Sequence, residues 1–414
     1  MNPAVTTISI IIPTHNRAAS ARRLLDKLAH QTYSMALMEV IMVANDCKDD
    51  TVAMLQQYKA PYTLKYAETN GTGPAVPRNK GASMAEGAIL IFLDDDVDPS
   101  EQLAEAHVGA HDNDTTVVIG YLPLAVSGNP GYYRLSLKMW WENKFREMSK
   151  PGYRFGYEDL LSGNFSTSAD LFRRSSGFIT TLSCRDDYEL GVRLLNLQAN
   201  FKFCKEAAGL HRDEVTDLNR SLKRKREEGR MDTKLWNLHP RITNSLQKNY
   251  RENRFNFLHS RRAWFMMNYP RVSDKFAGLL KSWMKIAERL SMRWRWHRLS
   301  YRLHTYWYYR GLMDALGSRD NLVRYFSHEP FIREIKKLDI DLEKGLAAAE
   351  NLLDDERPEA ITIWLGPEKI ADLPYEPGME RLKGAHLRAI LATTVSEPMT
   401  TALVMQTLKT KPAR

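Results

Sequence analysis

The sequence of 414 residues has few cysteines and no long apolar run. Its three cysteines, Cys47, Cys184 and Cys204, stand far apart and form no C-x-x-C pair, which argues against a disulfide framework and against a cysteine-based zinc site. No apolar stretch approaches the ~20 residues of a membrane-spanning helix, and the short run at residues 8–12 lacks the preceding positive charge of a secretion signal. We therefore expect a reducing, cytoplasmic location.

The charge of the chain is unevenly distributed. Hydrophobic residues make up 43% and charged residues 26%, as in folded domains, and the length predicts about two to three of them. The net charge is +9, but residues 220–310 contain 23 lysines and arginines against six acidic residues, which gives this segment +17 and the remainder −8. Six of the nine tryptophans lie in the same segment. This basic, tryptophan-rich segment therefore needs an explanation separate from the rest of the chain.

Strand-like and helix-like patterns alternate over the first hundred residues. The expected strands there are residues 8–12, 39–44, 63–66 and 88–93. The expected helices there are residues 18–28, 50–58 and 79–86. This alternation predicts an α/β fold on a mostly parallel sheet with helices on both faces. Farther along we expect a helix from about residue 186, helices over 216–316 and 318–355, and a strand at 360–365.

Polar residues follow three of the expected strands. They read PTHNR at residues 13–17, NDC at 45–47 and DDD at 94–96. Ligands of open α/β sheets bind at the carboxyl ends of the strands. A solvated loop or a helix cap would explain any one of these clusters alone, but three such strand ends together favour a binding crevice.

The carboxylates Asp94, Asp95 and Asp96 are the sharpest of these signals. Adjacent carboxylates repel one another unless a cation lies between them, and their oxygens suit Mg²⁺ or Mn²⁺ holding a diphosphate, although an acidic turn is the alternative. The glycine-containing segment 70–81 lacks the ending of a P-loop and the placement of a dinucleotide fingerprint. It does contribute Arg78 and Lys80, cations that could face a diphosphate.

Five motifs, taken in order, resemble those of a family 2 glycosyltransferase with the GT-A fold. They are IIPTHNR at 11–17, VANDCKDDT at 43–51, RNKG at 78–81, FLDDD at 92–96 and DDYELGVRL at 186–194. The resemblance covers about residues 6–230. It implies a Rossmann-like, mostly parallel sheet, here followed by a helical C-terminal region. It also implies metal-dependent transfer of a sugar from a nucleotide diphosphate donor, with inversion and with Mn²⁺ or Mg²⁺ as cofactor.

The resemblance also implies roles for individual residues. The donor-binding residues would be Pro13, Thr14, Asn16, Arg17, Asn45, Asp46, Arg78, Asn79, Asp94 and Asp95. The metal ligands would be Asp96, Asp94 and His211. Asn45 stands where the family usually has aspartate, which leaves the base of the nucleotide open. A structural role remains the alternative for His211.

The pair Asp186 and Asp187 matches the acidic catalytic motif of the family, with a departure at its first position. The second acid of that motif is the usual general base, so the resemblance assigns this role to Asp187, with Asp186 beside it in the catalytic pair. A general base must reach the acceptor hydroxyl and keep enough basicity to take its proton. The alternative is that both acids only cap their helix.

The resemblance implies a donor, an acceptor and a pathway class. The expected partners are a nucleotide sugar, in the first instance a UDP-sugar, and a saccharide or lipid-linked acceptor in polysaccharide, glycolipid or other envelope glycan synthesis. A nucleotidyltransferase would carry a glycine-rich, basic loop after the first strand, where this chain has PTHNR. A non-catalytic sugar-nucleotide binding protein remains open, because Asn45 and Asp186 depart from the usual pattern.

The basic segment at residues 220–310 has three interpretations. Basic and aromatic side chains suit nucleic acid, but no recognised nucleic-acid module is present, so we do not expect such a partner. A solvated face over an aromatic core is the second interpretation. We favour the third, an anionic membrane surface, where tryptophans settle at the interface and lysines and arginines meet the headgroups. The protein would then lie peripherally on the inner face of the cytoplasmic membrane.

The domain organisation follows from these segments. We expect a GT-A catalytic domain at residues 1–230 and a basic, tryptophan-rich helical region at 231–318. Residues 319–414 form a C-terminal extension for which the sequence predicts no role. The absence of a Q-x-x-R-W motif and of membrane spans argues against a processive polysaccharide synthase.

Overall fold

The computed structural model describes residues 6–128, 130–213, 216–242, 265–266, 268–327 and 334–410. Its strands are β1 (Ile8–Thr14), β2 (Met38–Asn45), β3 (Thr63–Thr69), β4 (Ile89–Leu93), β5 (Val97–Pro99), β6 (Thr116–Tyr121), β7 (Asn164–Ser168), β8 (Asn200–His211), β9 (Lys337–Asp341), β10 (Ala360–Leu365) and β11 (Glu368–Leu373). Its helices are α1 (Ala18–Leu28), α2 (Thr51–Gln57), α3 (Ala75–Met84), α4 (Leu103–Ala110), α5 (Gly131–Met148), α6 (Ala169–Arg174), α7 (Asp186–Asn196), α8 (Leu218–Leu238), α9 (Pro270–Arg289), α10 (Arg293–Leu316), α11 (Arg319–Ser327), α12 (Leu346–Glu356), α13 (Gly384–Thr393) and α14 (Ser396–Thr410).

The larger sheet has eight strands in the order β3-β2-β1-β4-β7-β6-β8-β5. Strands β3, β2, β1 and β4 are parallel, whereas β7 is antiparallel to both of its neighbours. The apolar runs of β1, β2 and β4 are buried throughout, as expected for strands covered on both faces. The predicted α/β class is therefore confirmed, with a mixed rather than uniformly parallel sheet.

Two predicted elements differ from the structure. Helix α3 begins at Ala75 rather than at residue 79, since Pro77 lies in its first turn, where a missing N–H group breaks no helical hydrogen bond. The predicted helix over 318–355 is wrong at Lys337–Asp341, which is strand β9. Its Leu338 and Ile340 alternate with polar residues and pair in register with β10, so the strand period determines the structure there.

The C-terminal part of the chain folds on a three-stranded sheet in the order β11-β10-β9, with its own apolar core. It attaches to the larger sheet region through the segment before Tyr157. The backbone N–H of Tyr157 donates to Gly378 O at 2.9 Å, and that of Phe155 donates to the Glu380 carboxylate at 3.0 Å. The C-terminal part therefore holds residues 155–157 by backbone hydrogen bonds.

Helices α8, α9 and α10 form the helical region, and α8 runs unbroken through position 230, the expected end of the first domain. Helices α8 and α10 cross at two glycines. A Cβ atom on Gly311 would overlap the carbonyl oxygen of Arg226, and one on Gly229 would overlap that of Tyr308. The two backbones are therefore in direct contact. The helical expectation for residues 243–264, including Trp264, lies outside the described residues. None of the described helices is both long and apolar enough to cross a bilayer.

Candidate functional site

The carboxyl ends of β1 and β4 meet at the centre of the larger sheet. Their parallel register aligns Ile11 with Phe92, so the residues that follow the two strands lie side by side. The Thr14 hydroxyl donates a hydrogen bond to Asp95 Oδ2 at 2.7 Å. Two of the polar clusters expected from the sequence thus form one site, with Pro13 inside β1 just before it.

One arginine bridges the carboxylates that follow β4. Arg17 Nη1 lies 2.7 Å from Asp95 Oδ1 and 2.7 Å from Asp96 Oδ2. Burial raises the pKa of Asp95 to about 6, against the opposing charge of Arg17. Burial also acts to raise the pKa of Asp96, but its hydrogen bonds and charge pairing with His211 and Arg17 lower that pKa to about 2. Arg17, which was expected to bind the donor, therefore neutralises part of the acidic cluster.

His211 reaches the same cluster from the end of β8. Strand β8 pairs with β5 in a register that sets His211 opposite Val97, and His211 Nε2 lies 3.2 Å from Asp96 Oδ1. Burial lowers the pKa of His211, but the hydrogen bond and the charge of Asp96 raise it overall. The other ring nitrogen, Nδ1, is buried and has no hydrogen-bond partner among the described residues.

Arg78 joins the end of β4 to the start of α7. Its Nη2 lies 2.8 Å from Asp94 Oδ1, and its Nη1 lies 3.3 Å from Asp186 Oδ2. The guanidinium is buried and also lies over the ring of Phe178, 5.4 Å from its centroid. Burial raises the pKa of Asp186 to about 6, although the charge of Arg78 acts to lower it. One buried cation thus connects the two acidic motifs, which are far apart in sequence.

Asp187 lies next to this pair in the first turn of α7 and is only partly buried. Its Oδ2 accepts a hydrogen bond from the Ser162 hydroxyl at 3.4 Å, and its Oδ1 accepts one from the backbone of Tyr188 at 2.9 Å. Unlike Asp186, it forms no ion pair with a described residue. Asp187 is therefore the carboxylate of the motif that can meet a second substrate.

Four expected donor-binding residues shape the walls of the site. Asn16 accepts a hydrogen bond from the backbone of Lys48 at 2.6 Å, and exposed Asp46 pairs with the Lys48 ammonium at 2.8 Å. The Asn45 side chain bonds to both backbone polar groups of Gly71. The Asn79 side chain bonds in the same two-way manner to the backbone of Phe178. The sequence analysis expected the side-chain amides of Asn45 and Asn79 to bind the donor. In the structure these amides hold the backbone of neighbouring loops.

Sequence reasoning missed a residue that holds the start of α7. Arg185 adopts the left-handed conformation, with φ 69°, immediately before Asp186. Its guanidinium pairs with Asp232 at 2.9 Å and Glu228 at 3.3 Å, both on α8, and lies 4.4 Å from the ring centroid of Tyr188. Only its position before the acidic pair could have drawn attention to it.

Two side chains in the site, Asp96 and His211, are placed to bind one divalent cation. Among the described residues, no group of three or more histidines, cysteines and acids is arranged to hold a metal ion. Asp96 and His211 are in contact, whereas Asp94 is turned toward Arg78. A carboxylate and an imidazole are both ligands of divalent metal ions, so the pair fits two ligand positions of such a cation, with Asp96 Oδ2 also paired to Arg17.

Comparison with known proteins finds relatives of the part of the chain that supplies the strand-end residues of this site, whereas Asp186, Asp187 and His211 lie beyond the matched residues. Residues 9–176 match the model of "Glycosyl transferase family 2". A stretch of 115 residues is 34% identical to poly(ribitol-phosphate) beta-N-acetylglucosaminyltransferase TarS of Staphylococcus aureus, covering 27% of this chain and 20% of that protein. A stretch of 89 residues is 45% identical to an uncharacterized glycosyltransferase of Haemophilus influenzae, covering 22% and 29%. The chain thus matches less than a third of the length of either relative.

A solved structure supports the same fold. The mannosyltransferase PcManGT of Pyrobaculum calidifontis, in complex with GDP-Man and Mn²⁺, aligns with a TM-score of 0.50 at 16% identity, over 75% of this chain and 88% of that one. At this identity the likeness concerns the fold. Residues 9–176 of this chain thus match glycosyl transferase family 2, and the chain shares the fold of that solved glycosyltransferase.

Proposed function

We propose that this protein transfers a sugar from a nucleotide diphosphate donor to an acceptor hydroxyl, with inversion at the anomeric carbon. The observation that carries the proposal is the position of Arg78 between Asp94 and Asp186. This contact sets the expected donor end of β4 beside the expected base on α7. A single displacement needs donor and acceptor side by side, so the group that holds the donor and the base that acts on the acceptor must be adjacent.

Two arginines would receive the diphosphate. Arg17 and Arg78 now pair with carboxylates, and guanidinium groups also bind phosphate oxygens, often through two N–H groups at once. Arg78 is also placed to stabilise the negative charge that develops on the departing diphosphate. The nucleoside would lie along residues 13–17 and 45–47, with a UDP-sugar as the first donor to test. A GDP-sugar, present in the archaeal mannosyltransferase structure, is the comparison.

Asp96 and His211 would hold the divalent cation, Mn²⁺ or Mg²⁺, with Asp94 as a third ligand once donor phosphate replaces it on Arg78. The cation would supply positive charge against the diphosphate of the donor. In excess chelator we expect transfer to stop. Full activity under those conditions would remove the metal-binding roles of Asp96 and His211.

Asp187 would act as the general base. As the acceptor oxygen forms its bond to the anomeric carbon, the acceptor proton passes to Asp187, and the bond to the diphosphate breaks with its electron pair on the leaving oxygen. Asp186 would keep Arg78 in place from the adjacent position. The partial exposure of Asp187, against the burial of Asp186, supports this division of roles.

The acceptor would be a saccharide or a lipid-linked glycan of the cell envelope, met at the inner face of the cytoplasmic membrane. The similarity to a poly(ribitol-phosphate) glycosyltransferase supports this acceptor class. Transfer of radiolabelled sugar to candidate acceptors, with hydrolysis of the donor as the background, would identify it.

Replacing the base is the decisive test. We expect Asp187→Asn to lower the transfer rate by about 10²- to 10⁴-fold, because the amide cannot accept the proton. The variant should still bind nucleoside diphosphate in a thermal-shift assay with Mn²⁺. Asp170→Asn, an exposed acid on α6 that pairs with Arg174, is the matched control and should leave transfer unchanged.

Unchanged transfer by Asp187→Asn would refute the assignment of the base. Nucleotide binding by the wild type without transfer to any acceptor would instead favour a non-catalytic sugar-nucleotide binding protein. Release of pyrophosphate from a nucleoside triphosphate would favour a nucleotidyltransferase.

A further inference from the structure

One side of α9 is apolar and exposed. The apolar stripe consists of Val272, Phe276, Leu279, Trp283, Ile286 and Leu290. At 3.6 residues per turn these positions fall within an arc of about 80°. Trp283 and Leu290 are 63% and 65% exposed. Such a continuous row differs from the scattered apolar residues of an ordinary surface.

The protein covers only part of the apolar face of α9. Ala277, Met284 and Ala287, on another side of the helix, pack with Trp296 and Leu303 of α10. The apolar face thus begins in this core and continues outward into the exposed stripe. Core packing explains the first half of the face. In the second half the Phe276 ring contacts Phe265, with centroids 6.1 Å apart, and the stripe is otherwise exposed.

The start of α10 carries two more exposed aromatic side chains. Trp294 follows Leu290 by four residues across the connection between the helices, and it is 70% exposed. Tyr301 lies seven residues farther on the same side of α10 and is 67% exposed. Arg298 lies over the Trp294 ring, 5.3 Å from its centroid. Tryptophan and tyrosine, which join an apolar ring to a polar group, concentrate at the boundary between lipid and water.

The charged side chains that face outward around the stripe are basic. Residues 270–302 contain nine lysines and arginines against two acids. Both acids face the protein, because Asp274 accepts a hydrogen bond from the Tyr306 hydroxyl and Glu288 accepts one from the backbone of Tyr132 at 2.7 Å. In the part of the chain that the structure describes, no carboxylate forms an ion pair with Arg271, Lys275 or Arg289. The outward side is therefore basic as well as apolar.

We propose that α9 and the first half of α10 form a docking face for the surface of an anionic lipid bilayer. The stripe would enter the headgroup layer while the flanking lysines and arginines meet lipid phosphates. A second copy of the chain is a poorer occupant, because two such faces would oppose positive charge with positive charge. The inference deepens the proposed function, and it rests on that function only for placing a lipid-linked acceptor near the site.

Sedimentation of the full chain with vesicles tests the docking face. We expect binding to vesicles of phosphatidylcholine with one third phosphatidylglycerol, weakened by high salt, and little binding to phosphatidylcholine alone. The stripe variant F276S/L279S/W283S should bind anionic vesicles at least about tenfold more weakly. The charge variant R271Q/K275Q/R289Q should bind anionic vesicles about tenfold more weakly and should no longer prefer them to neutral vesicles.

Matched controls separate the docking face from general effects. R22Q/K27Q/K59Q removes three exposed charges around α1 and α2, and V323S/L352S removes two exposed apolar side chains elsewhere. Both control variants should bind as the wild type does. Circular dichroism should show that every variant is folded, because the changed side chains are exposed.

Three outcomes would overturn the inference. The first is no salt-sensitive binding of the wild type to anionic vesicles, and the second is equal binding by the stripe variant. The third is a wild-type dimer in vesicle-free sedimentation velocity that the stripe variant dissociates, since a second copy would then cover the face. Donor hydrolysis and transfer to a soluble acceptor are measured separately, so failure of docking and failure of the proposed function are distinguishable.

Discussion

The larger sheet region, residues 6–211, and the helical region, residues 218–327, use charge in opposite ways. In the sheet region, Arg17 and Arg78 are turned toward the acids at the strand ends. On α9 of the helical region Asp274 and Glu288 face inward, whereas Arg271, Lys275 and Arg289 face solvent. Charges that face one another build a preorganised site, whereas charges of one sign that face outward are directed at a partner.

The two regions also differ in where their aromatic side chains lie. Phe92 and Phe165 of the sheet region are buried and stacked, with ring centroids 4.8 Å apart. In the helical region Trp296 is buried while Trp283 and Trp294 are exposed. A single amphipathic pattern thus supplies both a core and an outer surface. Composition could not distinguish these two uses of tryptophan.

One cluster of buried charges connects the regions. Arg185, before α7, pairs with Glu228 and Asp232 of α8, and Asp232 also accepts a hydrogen bond from the Tyr308 hydroxyl of α10 at 2.6 Å. The helical region therefore supports the helix that begins with Asp186 and Asp187.

The largest expected effect on the stability of the sheet region comes from its aromatic core. Phe92→Ala should lower the free energy of unfolding by about 4 kcal/mol, because it opens a cavity among Phe165, Phe172 and Phe178. Urea denaturation followed by circular dichroism measures the change. Tyr66→Ala, at a position 40% exposed on β3, is the control and should cost under about 1 kcal/mol. Equal losses for the two variants would contradict the placement of the core.

The connecting cluster should give the next effect, and it should depend on pH. The charges of Arg185 and Lys225 overcome the effect of burial and lower the pKa of Glu228 from 4.5 to about 2. Such a group stabilises the fold above pH 4.5, and its contribution is lost as the pH falls from 4.5 toward 2. Glu228→Gln should therefore cost about 3 kcal/mol at pH 7.

The control for this prediction is the neighbouring residue. Glu227→Gln changes a side chain that is 35% exposed and pairs with Arg230 on the same helix, so it should cost under about 1 kcal/mol. Thermal unfolding at several pH values should show the difference between Glu228→Gln and the wild type shrinking below pH 4.5. If the difference in stability between Glu228→Gln and the wild type instead grew toward low pH, the ionised Glu228 carboxylate would not be the group that stabilises the cluster.

The smallest effect is expected on the docking face. Trp283→Ser should change the free energy of unfolding by less than about 0.5 kcal/mol, because the ring is exposed in the folded protein. Trp296→Ala, in the core of the same region, should cost about 4 kcal/mol. Urea denaturation compares the two. A large loss for Trp283→Ser would mean that the stripe is part of a core rather than a surface.

The sequence predicted elements whose pattern is local. Helix α1 has the predicted bounds, Ala18–Leu28, and strand β10 has the predicted bounds, Ala360–Leu365. Strand β9 was missed because a five-residue strand flanked by helix-forming residues is defined by its pairing with β10, which lies twenty residues away. Pairing over such a distance leaves little trace in local periodicity.

The site shows the same limit. The clusters after β1 and β4 could be placed together because parallel strands end at one edge of a sheet. The contact between Arg78 and Asp186 spans 108 positions and the support from Arg185 depends on α8, so neither could be read from spacing. The side-chain amides of Asn45 and Asn79 hold backbone groups, a use that the motif does not indicate.

The glycine crossing of α8 and α10 has a consequence for the choice of acceptor. Because Gly229 and Gly311 bring two backbones into contact, no side chain lies between the helices at their crossing that could repack there. The span from the docking face through α8 to Asp187 would then be a fixed length. If the docking face rests on a bilayer, the helices would hold Asp187 at a constant distance from the lipid surface. Under the proposed function and docking, acceptors whose polar spacer reaches that height above the lipid would meet the site, and shorter ones would not.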